Sequence, residues 1–351
     1  MKLRTIAFFI AAAMASVGTT LAQTSAERTA WMKEARWGVM THYLSSWIAR
    51  SENLQIDVDK WNEIVDKFDV DALAEQIKST GAGYHILTIG QNSGYFIAPN
   101  ATYDRLTGIS PSKCARRDLV SDMSDALKKR GLKLIVYLPS GAPAGDRVAR
   151  EALQWKNGPG DYPNKEFQQK WEAIIADWST RWGDKVVGWW FDGCYWPNTM
   201  YRSPEPPNFQ SFAAAARAGN PKSAVAFNPG VVPRLISVSP YEDYTAGEIS
   251  DPASVSIRRT DANGMLDGKQ AQVLSYLGRT WGMGEPRFTA ERAIEYSNKI
   301  RRPGGVVTWD VPVRSTGHIP EAFVEQLKAI GQAMAEPLPP EPPATNRRGA
   351  E

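Results

Sequence analysis

The sequence has few of the residues on which disulfide frameworks and transition-metal sites depend. Its 351 residues include only two cysteines, Cys114 and Cys194, and three histidines. Two cysteines can form one disulfide or remain as small buried side chains, but they make neither a disulfide scaffold nor a cysteine-based zinc site. With so few histidines as well, we expect no metal centre and no cofactor.

The sequence also lacks an excess of charge of one sign. It has 41 basic and 38 acidic residues, a formal net charge of +3, and its basic residues are scattered along the chain. A nucleic-acid-binding surface needs basic residues gathered on one face, so no nucleic-acid partner is predicted. Nothing in the sequence points to a particular oligomeric state.

The N-terminal segment has the layout of a secretory signal peptide. Lys2 and Arg4 precede a short apolar run that ends in small residues near Ala22. The run is shorter than the roughly 20 apolar residues that span a bilayer, and no second run follows, so no stable membrane insertion is expected. We therefore expect residues 1–22 to be a signal peptide and the protein to be secreted or periplasmic.

Short apolar runs alternate with helical patterns along the chain, as in repeated βα units around a parallel sheet. Helical spacing is clear at Leu119, Met123 and Leu127, for example. Residues 23–335 are predicted to form a single-domain α/β fold, a (β/α)8 TIM-like barrel. The Pro-rich segment 336–351 has little to bury and is predicted to be a disordered tail. The eight candidate strands begin at Trp37, Tyr84, Lys133, Gly188, Ser223, Glu242, Gln270 and Gly304.

Polar residues close most of the predicted strands, and the active site of such a barrel forms where its strands end. The sequence also contains 13 Trp and 12 Tyr. Their flat apolar faces and polar edges suit sugar rings, although many of them would equally fill an aromatic core. We therefore expect an oligosaccharide or polysaccharide substrate. The strand-closing residues are His42, Tyr43, Gln91, Asn92, Asp192, Asn228, Glu248, Trp309 and Asp310.

Asp192 is the strongest catalytic candidate because it ends the apolar strand GWWFDG. A charged carboxylate there could not face an apolar layer of outer helices, so it should meet a polar cavity. The alternative is a structural Asp that caps the next helix or pairs with an arginine. Flanking Trp190 and Trp196 favour a sugar site, since a sugar ring can stack near the carboxylate.

Glycoside hydrolysis needs a second carboxyl group that protonates the leaving oxygen or activates water. Glu248 closes the sixth predicted strand, two strands on from Asp192, and is the candidate for this role. Glu242 and Asp310 are alternatives, and a capping or ion-pairing role for Glu248 also remains open.

The two strand histidines differ in position. His42 closes the first strand and is expected to hydrogen-bond a sugar hydroxyl; the alternative is a buried polar residue below the floor of the site. His85 begins the second strand, at the end of the barrel that serves stability, and is predicted to be structural.

Several segments resemble, in the same order, segments of the α-L-fucosidases of glycoside hydrolase family 29. The resemblance spans most of the chain after residue 22. It implies a retaining mechanism in which Asp192 is the nucleophile, and it aligns His42 with the family's histidine at the end of strand one. The segments are RWGVMTHY, GAGYHILTIGQNSGYF, KCARRDLVSDMSDALKKRGLKLIVYLPSG, WWFDG and GRTWGMGEPRF.

The chain departs from the family's pattern in three places. The family usually has His-His-Asp-Gly-Phe after strand two, with histidines that hold fucose hydroxyls, whereas residues 91–95 are Gln-Asn-Ser-Gly-Tyr. Amides can replace imidazoles as hydrogen-bond partners, with a change in the preference of the pocket. Gln272 stands where many members carry a glutamate, which leaves Glu248 as the expected proton donor. The family's usual C-terminal β-sandwich is not expected.

Together these observations predict a retaining exo-glycosidase, α-L-fucosidase-like in its substrate. Asp192 would attack the anomeric carbon, while Glu248 would first donate a proton and then activate water. The alternatives are a glycosidase of another specificity and a catalytically inactive barrel that binds glycans. The predicted sugar contacts are His42, Tyr43, Gln91, Asn92, Tyr95, Trp190, Trp196, Asn228 and Trp309.

Overall fold

A computed structural model describes most of the chain. The residues described are 23–156, 165–194, 202–232, 234–255, 260–261 and 263–340. The predicted signal peptide, residues 1–22, lies outside them, as does the predicted tail from residue 341 onward.

Most of the strands form one parallel sheet. The strands are β1 (Trp37–Thr41), β2 (Tyr84–Thr88), β3 (Lys133–Pro139), β4 (Gly188–Asp192), β5 (Ala224–Phe227), β6 (Met265–Leu266), β7 (Lys269–Gln270), β8 (Gln272–Tyr276) and β9 (Val306–Val311). The parallel sheet has the order β5-β4-β3-β2-β1-β9-β8, and β6 pairs with β7 as a separate antiparallel ribbon. Seven of the eight predicted strands are therefore confirmed as members of one sheet.

The sixth predicted strand is less regular than the others. Residues 242–249 lie between the two edges of the sheet, next to β5 and β8. The Asp243 N–H donates to the Val225 carbonyl at 2.7 Å on one side. On the other side, Tyr244 and Glu248 form isolated parallel bridges to Gln270 and Leu274. The architecture is an α/β fold with a curled seven-stranded parallel sheet, consistent with a TIM-like barrel.

The helices cover the outer face of the sheet. The predicted helical residues Leu119, Met123 and Leu127 are buried in the helix Leu119–Lys128, and the apolar residues around Trp171 and Leu327 are buried in the helices Lys165–Trp182 and Glu321–Ala335. The helices are α1 (Ser25–Ala35), α2 (Ser45–Glu52), α3 (Val58–Asp66), α4 (Val70–Ser79), α5 (Ala101–Thr107), α6 (Leu119–Lys128), α7 (Arg147–Leu153), α8 (Lys165–Trp182), α9 (Phe209–Ala216), α10 (Ala290–Arg301) and α11 (Glu321–Ala335). Short 3-10 turns cover Gly183–Lys185 and Pro252–Ser254.

The core has an inner and an outer layer, because successive side chains of a strand point to opposite faces. In β4, Trp189 and Phe191 face the helices and belong to the large outer cluster. Trp190, between them, faces the inside and packs with Ile135 and Tyr137 of β3. The same alternation runs through the neighbouring strands. Residues an even number of positions apart on one strand therefore face the same side of the sheet.

Helix α1 closes the amino end of the sheet. Its Met32 packs in the inner cluster, and its Trp31 meets the Tyr84 ring edge-on at 5.6 Å between centroids. Arg28 of the same helix pairs with the fully buried Asp243, with Nε and Oδ1 2.9 Å apart. Arg217 donates to the other oxygen of Asp243. This end is therefore closed by apolar packing and compensated charge.

The two cysteines, whose pairing the sequence left open, are both buried and free. Burial raises the pKa of each thiol above its usual value, as expected for small buried side chains. Among the described residues, no helix is both long and apolar enough to cross a bilayer.

Candidate active site

Three side chains at the carboxyl end of the sheet form one hydrogen-bonded group. Asn228, just after β5, donates from Nδ2 to Oδ1 of Asp192 at 2.8 Å and to Oε2 of Glu248 at 2.6 Å. Its own Oδ1 accepts from the Gly230 N–H at 3.0 Å, which sets the orientation of the amide. Two carboxyl groups thus converge on the two N–H bonds of one side chain.

The alternation of the strands brings these groups together. Trp190 faces the interior, so Asp192, two positions later on β4, does so as well. Ala226 faces the interior too, which places Asn228 on the same side. The intervening Phe191 packs in the outer cluster. The predicted pair of carboxyl groups, Asp192 and Glu248, is therefore brought into one place.

The surroundings of Glu248 favour its neutral form. Burial makes the largest contribution and the charge of Asp192 the second largest, and together they raise the pKa of Glu248 to about 7. The hydrogen bond from Asn228 and the charge of His42 act in the opposite direction. A carboxyl group with this pKa is mostly protonated below about pH 7, as a general acid requires.

Asp192 has a second donor, Tyr137, which the sequence did not single out. Tyr137 of β3 donates from its hydroxyl to Oδ2 of Asp192 at 2.5 Å. The same hydroxyl accepts from Nε2 of Gln91 at 2.6 Å. A tyrosine in the apolar strand KLIVYLP, two residues from its end, is the signal from which this contact could have been expected.

His42 lies beside the carboxyl pair and is tied to Asp310 at the inner face of β9. Its Nδ1 is 2.8 Å from Oδ1 of Asp310, and the other oxygen of Asp310 accepts from the Gly282 N–H at 2.5 Å. Burial lowers the pKa of His42, but the charge and hydrogen bond of Asp310, with smaller contributions from Asp192 and Glu248, outweigh it and raise the pKa overall. Burial raises the pKa of Asp310, against the opposing charge of His42.

Two half-buried aromatic residues, Trp47 and Trp281, lie beside His42, and neither was predicted as a site residue. The His42 ring is 6.5 Å from Trp47, stacked, and 6.1 Å from Trp281. Trp47 donates from its indole N–H to the Trp281 carbonyl at 2.8 Å, and Trp281 meets Tyr276 at 4.6 Å. Gly282 has φ +62°, and a Cβ there would lie 2.7 Å from the Cβ of His42. The glycine allows this loop to approach the histidine.

Three predicted sugar contacts are not brought to the site as contact residues. The alternation along their strands points Tyr43 and Trp309 to the outer face, and both are fully buried in the outer cluster. Tyr43 donates to the Ser315 carbonyl at 2.9 Å, and Trp309 donates to Ser297 at 3.0 Å. Trp190 is buried inside the sheet, where its ring stacks on the Tyr137 ring with 5.2 Å between the centroids. Position at a strand end was thus not enough to predict a sugar contact.

Two further predicted contacts, Asn92 and Tyr95, lie in the loop after β2. Asn92 is exposed, and its carbonyl accepts from the Gly145 N–H at 2.8 Å. Tyr95 is half-buried and carries Lys113 Nζ over its ring at 5.5 Å. Trp196 lies outside the described residues.

Three further residues that the sequence analysis discussed are structural in position. Glu242 is fully buried, and its Oε1 accepts from the Ser237 hydroxyl at 2.7 Å. Gln272 is buried inside the sheet, where its amide hydrogen-bonds to Thr308. His85 is buried with Nε2 3.0 Å from the Thr41 hydroxyl, and burial lowers its pKa to about 3. The structural prediction for His85 agrees with this environment.

The site therefore offers two carboxyl groups with different surroundings, a histidine next to them and half-buried aromatic rings. Such a set can attack an electrophilic carbon, transfer a proton and pack against a sugar ring. Within the described ranges, no group of three or more His, Cys, Asp and Glu residues is placed to hold a metal ion.

Solved structures of glycoside hydrolases share the fold. The endo-fucoidan hydrolase MfFcnA4, from glycoside hydrolase family 107, matches with a TM-score of 0.69 and 20% identity, over 90% of this chain and 55% of that chain. Alpha-L-fucosidase isoenzyme 1 from Paenibacillus thiaminolyticus matches with a TM-score of 0.61 and 19% identity, over 89% and 76%. Alpha-L-fucosidase AlfC from Lactobacillus casei, in complex with alpha-L-fucose product, matches with a TM-score of 0.59 and 16% identity, over 88% and 98%.

This likeness, at low identity, supports the fold, and the chain spans about half the length of the endo-fucoidan hydrolase. A comparison with curated proteins gives no match. The family model described as alpha-L-fucosidase matches residues 57–336, which is most of the chain. The chain therefore belongs to the alpha-L-fucosidase family, glycoside hydrolase family 29.

Proposed function

We propose that the protein is an exported retaining exo-glycosidase that removes terminal α-L-fucose from glycans, with Asp192 as nucleophile and Glu248 as acid/base. The family match and the pair of carboxyl groups support the reaction class. The signal-peptide pattern of residues 1–22 supports export. Residues 242–249 would serve as the eighth strand position of a closed (β/α)8 barrel.

The observation that carries the proposal is the bridge through Asn228. Since Nδ2 lies 2.8 Å from Oδ1 of Asp192 and 2.6 Å from Oε2 of Glu248, these two facing oxygens are separated by no more than the sum, about 5.4 Å. Retaining glycosidases hold their carboxyl groups about 5 to 5.5 Å apart, whereas inverting enzymes need about 6.5 to 9.5 Å. This bound favours direct attack by Asp192 over activation of a water between the two groups.

In the first step Asp192 attacks the anomeric carbon, and the glycosidic bond breaks. Glu248 transfers its proton to the leaving oxygen, so the aglycone departs neutral. Asn228 donates to Oε2 of Glu248, so that proton is carried on Oε1. The product of this step is a glycosyl ester of Asp192 and an ionised Glu248.

In the second step Glu248 takes a proton from water, which attacks the anomeric carbon and releases the Asp192 carboxylate. Esterification removes the negative charge of Asp192, which is one of the causes of the raised pKa of Glu248. The pKa of Glu248 therefore falls in the glycosyl-enzyme. One residue can thus act as an acid in the first step and as a base in the second.

The histidine and the aromatic rings would hold the sugar. Because Asp310 occupies Nδ1 of His42, Nε2 is the nitrogen that would meet a sugar hydroxyl. Trp47 and Trp281, half-buried beside His42, would pack against the apolar face of the sugar ring. The fucoside preference rests on the family and on the fucose-bound neighbour from Lactobacillus casei.

The proposal is tested with a panel of nitrophenyl glycosides that includes the α-L-fucoside and with fucose-containing oligosaccharides. We expect the wild type to release nitrophenol from the α-L-fucoside and the Asp192→Ala variant to release none. Cleavage of another glycoside would retain the mechanism and change the sugar. Sugar binding measured by calorimetry without turnover of any substrate would instead identify a glycan-binding barrel.

A further inference from the structure

We propose that Gln91 is a positioning residue, which acts on Asp192 through Tyr137 and does not serve mainly to bind sugar. The inference rests on the proposed role of Asp192 as the nucleophile. It gives a specific function to the position where, by resemblance, the family carries a histidine that holds a fucose hydroxyl.

The three side chains form a continuous line of hydrogen bonds across neighbouring strands. Nε2 of Gln91 is 2.6 Å from the Tyr137 hydroxyl, which in turn is 2.5 Å from Oδ2 of Asp192. Gln91 follows β2, Tyr137 is on β3 and Asp192 ends β4, and these strands are adjacent in the sheet. The contacts therefore link the loop after β2 directly to the nucleophile.

The direction of these hydrogen bonds follows from counting protons. An ionised Asp192 can only accept, and Tyr137 has a single hydroxyl proton, so that proton points to Asp192. The Tyr137 oxygen must then accept from Gln91, which requires the amide nitrogen on that side. Gln91 thereby blocks the alternative in which Tyr137 turns its proton away from the nucleophile.

Packing restricts the Tyr137 ring as well. It is buried and lies parallel to the Trp190 ring at 5.2 Å, and its edge meets His42 at 5.7 Å. Trp190 is itself fixed by donating to the Ala246 carbonyl at 3.0 Å. The ring has little freedom to move, but its hydroxyl can rotate about the C–O bond, and the hydrogen bond from Gln91 opposes that rotation.

This arrangement affects the second step of the reaction more than the first. When water attacks the glycosyl-enzyme, Asp192 leaves as a carboxylate and its oxygens gain negative charge. A hydrogen bond that is stronger to the charged form than to the ester stabilises that transition state. Loss of the Tyr137 proton, or of its orientation, should therefore slow deglycosylation and let the glycosyl-enzyme accumulate.

The test compares Tyr137→Phe, Gln91→Met and Gln91→Glu with the wild type, using a substrate with a good leaving group. Tyr137→Phe keeps the ring stacking and should lower kcat about 10- to 100-fold, the range of a hydrogen bond to a charged group, with a lower KM and a pre-steady-state burst. Gln91→Met removes the donor and should lower kcat about 3- to 10-fold. Gln91→Glu accepts the Tyr137 proton and should be at least as harmful as Tyr137→Phe.

A double-mutant cycle separates the two roles of Gln91. If Gln91 acts through Tyr137, Gln91→Met has no further effect on kcat in the Tyr137→Phe background. If Gln91 binds the sugar, Gln91→Met raises KM with little change in kcat, and does so equally in both backgrounds. The second pattern would overturn the inference.

A spectroscopic measurement keeps the inference independent of turnover. In the wild type the Gln91 side-chain amide protons should exchange slowly by NMR, and in Tyr137→Phe they should shift and exchange faster. Unchanged Gln91 signals would overturn the relay even if the enzyme is active. Conversely, protected Gln91 protons in a protein that cleaves no glycoside would contradict only the proposed function.

Discussion

The two ends of the sheet both hold carboxylates, but the surroundings of these carboxylates differ. At the amino end Asp243 is fully buried between Arg28 and Arg217 and also accepts from the Val225 N–H at 3.0 Å. At the carboxyl end Glu248 faces another carboxylate, Asp192, across a neutral amide. Compensated charge stabilises a fold, whereas a pair of like charges raises a pKa and is typical of a reaction centre.

Glu242 shows why a raised pKa is not sufficient to identify a catalytic group. Burial raises the pKa of Glu242 to about 7, similar to that of Glu248. Yet Glu242 is enclosed by Ser237 and by the N–H groups of Val238 and Ser239, at 2.6 Å and 3.4 Å respectively. Burial raises the pKa of Glu242, whereas the charge of Asp192 adds to burial in raising the pKa of Glu248. The partner carboxyl group is the feature that distinguishes the reactive end.

The largest effect should come from removing the nucleophile. Asp192→Ala should lower kcat more than about 10⁴-fold, because no glycosyl-enzyme can form. Azide should restore part of the activity and give a glycosyl azide of inverted configuration, identified by NMR. Asp184→Ala, at a side chain that is 85% exposed, is the matched control and should keep wild-type activity. Comparable losses in both variants would contradict the role of Asp192.

The next effect should come from the acid/base. Glu248→Gln should slow hydrolysis of glycosides with poor leaving groups about 10²- to 10⁴-fold, and of activated aryl glycosides less in the first step. In the wild type kcat/KM should fall above about pH 7, as Glu248 loses its proton. That basic limb should be absent from the pH profile of the variant. If kcat/KM of the Glu248→Gln variant still falls above about pH 7, a group other than Glu248 donates the proton.

At the amino end the expected effect is on stability. Asp243→Asn should lower the free energy of unfolding by about 2 to 4 kcal/mol, since two largely buried arginines lose their countercharge. Urea denaturation at pH 7 measures this, and kcat per folded molecule should not change. Asp71→Asn breaks an ion pair with Arg130 at a side chain that is 60% exposed, and it should lower the free energy of unfolding much less than Asp243→Asn does. Equal losses of unfolding free energy in the two variants would contradict the claim that the buried ion pairs of Asp243 stabilise the fold more than a surface pair does.

The smallest effect concerns Glu242. Its pKa is raised from 4.5 to about 7 on folding, so its contribution to stability is complete below pH 4.5 and is lost as the pH rises through about 7. Glu242→Gln cannot ionise and should lose less stability than the wild type between pH 5 and pH 8, by about 1 to 3 kcal/mol. Urea unfolding of both proteins at both pH values gives the difference. The same pH dependence in both would show that Glu242 ionises without penalty.

The sequence predicted seven strands correctly because each is a short apolar run with helical spacing on either side. The segment from Glu242 was harder, since Asp243 bonds to two arginines and Gly247 takes φ +60°, which interrupt a regular ladder. A Cβ at Gly247 would lie 2.0 Å from the Gln272 carbonyl oxygen. Close approach between segments is a tertiary property that local pattern does not contain.

The site was predicted in part. Asp192, Glu248 and Asn228 close predicted strands, and the structure places them in one hydrogen-bonded group. Because Pro139 pairs with Asp192 in the register of β3 and β4, the two-residue alternation along β3 places Tyr137 on the inner face. Starting from His42, the same alternation excludes Tyr43. The bridge through Asn228 could not be predicted, because distances between strand ends depend on how far the sheet curls.

The most direct test of the proposed mechanism is the configuration of the sugar at the moment of release. Proton NMR during hydrolysis of an α-linked substrate follows the anomeric signal before mutarotation. A retaining pair held within about 5.4 Å predicts that the α-anomer appears first. First appearance of the β-anomer would mean a single displacement by water, and Asp192 could not then be the nucleophile.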